Sequence, residues 1–218
     1  MVMALKISRK ELTHAQLALV TAIILQVVVL LVNKNLTLGP QYFIIGTEIG
    51  MAVLLFASLN VYSPDSKSLQ RITAGGLLGF ISFANISSLM LVLYSLIIGH
   101  AEVSGGELLA SAIAIFATNI IVYGLWYWEI DSPGLTSTQW TKNDKDFQFT
   151  QQNMKSEFPG WRPQFVDYLY LSVTNAVNFA PADAKPLSHT AKLLMASQAM
   201  VSVFTLALVI ARSVSILG

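Results

Sequence analysis

Thr174, Asn175 and Asn178 stand just ahead of Phe179-Ala180-Pro181-Ala182-Asp183 in the stretch SVTNAVNFAPADAKPLSHTAK, Ser172 to Lys192. Hydroxyl, amide and carboxylate groups at this spacing suit the attraction of an inorganic cation at a constriction. Asp183, repeated around a ring of subunits, would concentrate cations at a pore mouth. Asn175 and Asn178 would offer amide oxygens or NH₂ groups to the permeating ion. The same residues have a plainer reading: Asp183 as an exposed acid capping the next turn, the asparagines as hydrogen-bonders of the loop backbone. Little else in the chain suggests chemistry. It has no cysteine, which excludes disulfides, thiolate metal sites and cysteine nucleophiles. His14, His100 and His189 lie near the ends of apolar segments without a partner at ligand spacing, and no HExxH pattern exists. With no nucleophile–base set visible, the expectation is a non-enzyme without cofactor or metal.

The elements that would position these residues are short. Pro163 suits the first turn of a helix, where its missing N–H is no loss. From there PQFVDYLYLSVTNA predicts a helix of about three turns, too short to span a bilayer. It would stop at Asn178–Asp183, with the partial negative charge of its C-terminus favouring a cation at the tip. Two placements fit this pattern. One is a re-entrant loop, because non-helical backbone at membrane depth is tolerated only inside protein or along a water-filled path. The other is an interfacial helix and loop lying on the membrane surface.

The rest of the chain is built for lipid. Hydrophobic residues make up 54% and charged residues 11%, with a mean hydropathy of +0.61, against the ~25% charged residues of a soluble domain. Five apolar segments, roughly Ala15–Val32, Tyr42–Leu59, Ile72–Ile98, Leu108–Trp128 and Thr190–Leu217, approach or exceed the ~20 residues that cross a bilayer. The first is too long for a secretory signal and is followed by Asn33-Lys34-Asn35, so it is expected to stay as a helix. Trp126-Tyr127-Trp128 predicts an aromatic cluster at headgroup level. Lys6, Arg9, Lys10, Lys67, Arg71, Lys142, Lys145, Lys155 and Arg162 fall on one side of the membrane, Lys34 and Arg212 on the other. The positive-inside rule therefore puts the N-terminus and the Glu129–Arg162 linker in the cytoplasm. A net charge of +1 gives no reason to expect nucleic acid.

Three further features lie within the apolar segments. Gln198, Thr205 and Arg212 are seven apart on the last helix, with Ser202 beside them. Such a polar stripe reads either as cavity lining or as helix–helix hydrogen bonding, Arg212 also as a snorkelling anchor. Glu48 is an acid at membrane depth, costly there and a functional candidate unless it pairs with a residue such as Asn85. Gly46/Gly50 and Gly75/Gly79 have the small-xxx-small spacing of close helix packing.

Laid without a gap over the potassium-channel pore pattern, Ser172 to Lys192 resembles it at its flanks. Ser172 and Thr174 match the pore-helix hydroxyls, Asp183 the acid that ends the filter, Pro186 the later proline and Lys192 the basic opening of the inner helix. The filter departs: Asn178-Phe179-Ala180-Pro181-Ala182 stands where Thr-Val-Gly-Tyr-Gly belongs. Without glycine, and with Pro181 holding φ near −65°, a carbonyl ladder selecting potassium is not expected. Over roughly Ser111–Leu217 the chain also resembles a family of small bacterial membrane proteins, domain of unknown function 1345. The shared features are the aromatic end TNIIVYGLWYWEID, Phe158-Pro159-Gly160, the run DYLYLSVT and a Phe-x-x-x-Asp loop at Phe179 and Asp183. The family's Phe-Gln-Val-Ser-Asp loop differs at every middle position, and its preceding glycine is Ala176 here.

The expected fold is an all-α integral membrane protein of five transmembrane helices with a re-entrant pore helix and loop before the last. Residues 1–106 would form a peripheral three-helix scaffold and residues 107–218 a channel-like module of outer helix, polar linker, pore loop and inner helix. The potassium-channel analogy would place the loop on the outer face, whereas the Lys/Arg count places it on the cytoplasmic face. The resemblances imply a bacterial inner-membrane homotetramer that passes an inorganic ion without potassium selectivity. Its constriction would comprise Thr174, Asn175, Asn178, Phe179, Ala180, Pro181, Ala182 and Asp183, with Gln198, Ser202, Thr205 and Arg212 lining the cavity. The alternatives are a small transporter using Glu48 and neighbouring polar residues, or a non-conducting structural protein.

Overall fold

The computed structural model describes residues 9–32, 36, 41–59, 66–98, 104–131, 145–178 and 183–217. Of the helix-end residues 9, 41, 58–59, 66–71, 98 and 212–217 only the backbone is described. The elements are α1 (Arg9–Val32), α2 (Gln41–Leu59), α3 (Ser66–Ile98), α4 (Gly105–Asp131), β1 (Phe147–Phe149), α5 (Thr150–Asn153), α6 (Phe165–Asn178), β2 (Ala184–Pro186) and α7 (His189–Leu217). Four stretches are long and apolar enough to cross a membrane: Lys10–Val32, Ile72–Ile97, Gly105–Asp131 and His189–Ala211. Helix α2 adds the shorter apolar stretch Tyr42–Ala57. The chain is thus a multi-pass, all-α membrane protein. Its outer surface agrees: large apolar side chains such as Leu31, Ile97 and Leu193 are more than two-thirds exposed, which suits lipid and not water.

Local chemistry sets the helix starts. Helix α4 opens with a capping box: Ser104 N–H donates to Glu107 Oε2 (2.7 Å) and Glu107 N–H to Ser104 Oγ (3.3 Å). Helix α7 is capped by Ser188, whose Oγ accepts from Ala191 N–H at 3.0 Å. Helix α6 begins at Phe165, two residues beyond Pro163; Asp167 Oδ2 accepts Gln164 N–H at 2.7 Å and so sets the first turn there.

Helix α4 is the central post, packed against α1, α3, α6 and α7, and all four run against it. For α3 the register is Ser82 at Trp126 and Asn85 at Ile115. For α7 it is Gln198 at Tyr127 and Ser202 at Asn119. For α6 it is Tyr168 at Asp131 and Ser172 at Ile120. In α1, Ala15–Ile23 share a core with Val122–Trp128, while Val29 belongs to the core around Leu108–Ile115. One apolar core therefore joins residues from both halves of the chain, the first three helices and the C-terminal elements alike.

At the C-terminal end of α4 the described part of the polar linker, residues 145–162, is organised. Strands β1 and β2 pair antiparallel, Phe147 opposite Pro186 and Phe149 opposite Ala184. Composition does not predict this ribbon; three residues a strand carry too little alternation to stand out. Asp131, almost fully buried, fastens it: Oδ1 accepts the N–H groups of Asp146 (2.6 Å) and Phe147 (2.9 Å), and Oδ2 accepts Tyr168 OH (2.6 Å). Around it Tyr127, Trp128, Phe147, Phe149, Phe165 and Tyr168 stack edge to face, with ring centroids 5.2–6.4 Å apart. Tyr127 and Trp128 are buried in this cluster, and Trp126 donates to Ser82 Oγ at 3.0 Å. The expected headgroup-level cluster is therefore largely internal, because α6 and the ribbon fold over it.

Candidate functional site

Helix α6 has 14 residues, so it is about 21 Å long. Its amphipathic pattern decides its seat: Phe165, Tyr168, Leu171, Ser172, Asn175 and Ala176 face α4 and α7, while Val166, Tyr170, Val173 and Val177 form an exposed apolar stripe. It starts beside Trp128, near the end of α4, and travels back along α4 until Ser172 Oγ donates to the carbonyl of Ile120 at 2.6 Å. Ile120 lies about 12 Å up α4 from Trp128, at 1.5 Å per residue. Yet by Asp183 the chain is at the ribbon again, where the Asp183 carbonyl accepts Thr150 N–H at 2.9 Å. The chain therefore goes up along α4 and returns to the level it left within the few residues after Asn178.

A buried polar network holds this turn-back in place. Gln198 is at its centre, fully buried. Its Oε1 accepts Tyr127 OH at 2.5 Å and Asn175 Nδ2 at 2.8 Å. Its Nε2 donates to the carbonyl (3.0 Å) and to Oγ (2.6 Å) of Ser172. Asn175 Nδ2 also donates to the carbonyl of Met195 at 3.0 Å. Three helices meet at one amide. Below it, Tyr123 OH and Ser197 Oγ are 2.8 Å apart, and Asn119 Nδ2 donates to Ser202 Oγ at 3.0 Å. Close backbone approach completes the seat: a Cβ on Gly124 would lie 3.2 Å from Leu169 Cα.

The residues singled out from the sequence fall in distinct places. Asn175 is buried in the network. Thr174 Oγ1 turns back to the carbonyls of Tyr170 and Leu171, both at 3.0 Å, and Asn178 is exposed at the tip of α6. Phe179, Ala180, Pro181 and Ala182 lie outside the described residues, as does the side chain of Arg212. Asp183 is half-buried beside the ribbon. Gln198, Ser202 and Thr205 are all fully buried; Gln198 bonds to α4 and α6, Ser202 to Asn119 of α4, and Thr205 Oγ1 donates to Val201 O of its own helix at 2.7 Å.

Glu48 is also fully buried, and neither carboxylate oxygen has a hydrogen-bond partner. The suggested partner Asn85 is engaged elsewhere, donating to the carbonyl of Ile115 at 3.2 Å. The glycine pairs differ from expectation as well. Nothing lies within 4 Å of a Cβ built on Gly46, Gly50 or Gly75, and Gly79 meets only Trp126 at 4.0 Å. Gly124, which no spacing pattern marks, is where two helices approach closely. In the sequence Tyr127 and Asp131 are parts of an aromatic run; only their partners reveal them as the posts of the site. Among the described residues no group of three or more His, Cys, Asp or Glu could hold a metal ion. Comparison with protein-family models, curated proteins and solved structures finds no match.

Proposed function

We propose that the protein is a channel-like membrane protein, assembled as a symmetric ring, in which α6 and residues 178–183 form a re-entrant constriction. The observation that carries this reading is the turn-back: α6 climbs about 12 Å along a spanning helix, from Phe165 beside Trp128 to Ser172 at Ile120, and the chain is back at the ribbon by Asp183. In a bilayer such a segment is stable only when its backbone is enclosed by protein or lines a wet path. Helix α2 is the fifth crossing in this reading. Helices α1 and α3 both run against α4, so the segment joining them must return across the same thickness, and 19 residues reach about 28 Å.

One helix–loop cannot enclose a conduit, so the reading requires several copies, four by resemblance to the potassium-channel pattern. The apolar stripe Val166/Tyr170/Val173/Val177 on α6 is then a surface for lipid or for a neighbouring subunit. Gln198 stands where α4, α6 and α7 of one chain meet, and Ser202 where α7 meets α4. A cavity lined by them opens within the subunit, when α6 moves off α7, and not on the ring axis. Asp183 acts through its charge at the mouth, and Pro181 with the lack of glycine keeps the loop from dehydrating potassium selectively. The chain's likeness to domain of unknown function 1345 fits this architecture, and with it a bacterial inner-membrane location. A carrier built on Glu48 is the second reading, favoured by that carboxylate's complete burial.

Native mass spectrometry in detergent and planar-bilayer recording under asymmetric salts test the proposal together. A tetramer with cation-preferring conductance is expected, and Asp183→Asn should lower the cation-to-anion permeability ratio, more strongly at low salt where screening is weak. A strictly monomeric or dimeric protein sinks the ring. A strong preference for potassium over sodium refutes the filter argument, and an unchanged ratio in the variant removes Asp183 from the mouth.

A further inference from the structure

Glu48 stands apart from the α6 site, on a helix packed mainly against α3. Helix α2 packs against α3 and, less extensively, α1. Its inward stripe is Glu48, Ala52 and Leu55, all buried, while Gly46, Ile49, Gly50, Val53 and Leu54 face outward. The helices packed against it carry few charged or titratable residues. On α1 they are confined to Arg9, Lys10, Glu11 and His14 in the first two turns. On α3, Lys67 and Arg71 precede the apolar part, and Tyr94, more than half exposed, is the one ionisable side chain between residues 72 and 97. On α2 itself there is only Tyr42, exposed at the start. Both oxygens of Glu48 lack a hydrogen-bond donor. An ionised carboxylate in that setting costs several kcal/mol. A divalent cation would need about six oxygen ligands, and no cluster of three acidic or metal-ligating residues occurs among the described residues.

We propose that Glu48 is a proton-binding site, occupied while α2 lies against α3 and emptied when α2 moves away and admits water. The proton is the one ligand that a single unpartnered carboxyl satisfies alone. Release is then coupled to displacement of α2, a movement separate from anything at α6.

Infrared difference spectra of the full-length protein in liposomes, wild type minus Glu48→Gln, test the site. At pH 7 they are expected to show the carbonyl band of a protonated carboxylic acid, converting to carboxylate bands as pH rises. Glu48→Asp, which keeps the acid but moves the band, serves as the reference if the amide variant does not fold. The coupling is tested by placing cysteines at Met51 and Gly76, where Met51 Cε lies 3.3 Å from the position of a Gly76 Cβ, and bridging them with a short bis-methanethiosulfonate. Bridging should raise the midpoint of the conversion by at least one pH unit, and reduction should restore it. Carboxylate bands at pH 7 overturn the proton site. Equal midpoints with and without the bridge overturn its coupling to α2.

Discussion

Replacing Gln198 by leucine keeps the volume and removes the amide on which α4, α6 and α7 converge. Four hydrogen bonds go with it: from Tyr127 OH and Asn175 Nδ2 to Oε1, and from Nε2 to the carbonyl and Oγ of Ser172. The consequences differ by group. Asn175 keeps the Met195 carbonyl, and Ser172 Oγ keeps Ile120 O as its acceptor. Tyr127 OH loses the acceptor for its proton while fully buried. Interhelical hydrogen bonds in membranes average about 0.6 kcal/mol each, which puts the loss of four at roughly 2–3 kcal/mol. Leaving buried polar groups unsatisfied costs about 1–3 kcal/mol apiece, so one stranded hydroxyl gives a similar figure. Gln198→Leu should therefore cost about 2–3 kcal/mol, where Thr205→Val, whose hydroxyl bonds only within α7, should cost less than about 1 kcal/mol. Unfolding in mixed detergent micelles, followed by tryptophan fluorescence, measures both. A cysteine at Val177, on the exposed face of α6, would report altered α6 packing as a changed thiol-labelling rate in the Gln198 variant. Equal stabilities of the Gln198 and Thr205 variants, with unchanged labelling, would refute the view that this amide holds α6 in place.

Two further outcomes follow from the same geometry and from the charge pattern. Gly124→Ala puts a methyl 3.2 Å from Leu169 Cα and Cδ1, so it should destabilise by about 1–3 kcal/mol through overpacking, whereas Gly50→Ala, with nothing within 4 Å, should be neutral or slightly stabilising. Both are read from the same micelle unfolding curves, and equal effects would contradict the close α4–α6 approach. Because the chain has no cysteine, Ser137→Cys gives a clean topology probe: resistance to an impermeant thiol reagent on intact cells is expected from the Lys/Arg distribution, and ready labelling from outside would reverse the orientation.

Composition and apolar run length alone determined that this is a helical, multi-pass membrane protein, because backbone hydrogen bonding in lipid leaves a chain of long apolar segments almost no other choice. The short amphipathic helix ahead of Asn178 was equally legible: its apolar period over 14 residues is a local property. So was the stripe Gln198, Ser202 and Thr205, which spacings of four and three residues place on one face of α7. What that stripe faces was not legible. Spacing sets which side chains share a helix face, but only packing sets which neighbour that face meets, and for Gln198 and Ser202 it is α4 and α6 of the same chain. The same limit explains the glycines: Gly46/Gly50 match a packing pattern yet touch nothing, while Gly124 matches none and meets the α6 backbone. Asp131 and Tyr168 are 37 positions apart and become partners only when α6 folds back on α4. The three-residue strands arise in the same way, since their pairing brings together residues nearly forty positions apart. Glu48 could be recognised from the sequence as an acid at membrane depth; that Asn85 turns instead to Ile115, leaving both its oxygens without a donor, is decided by how α3 sits between α2 and α4.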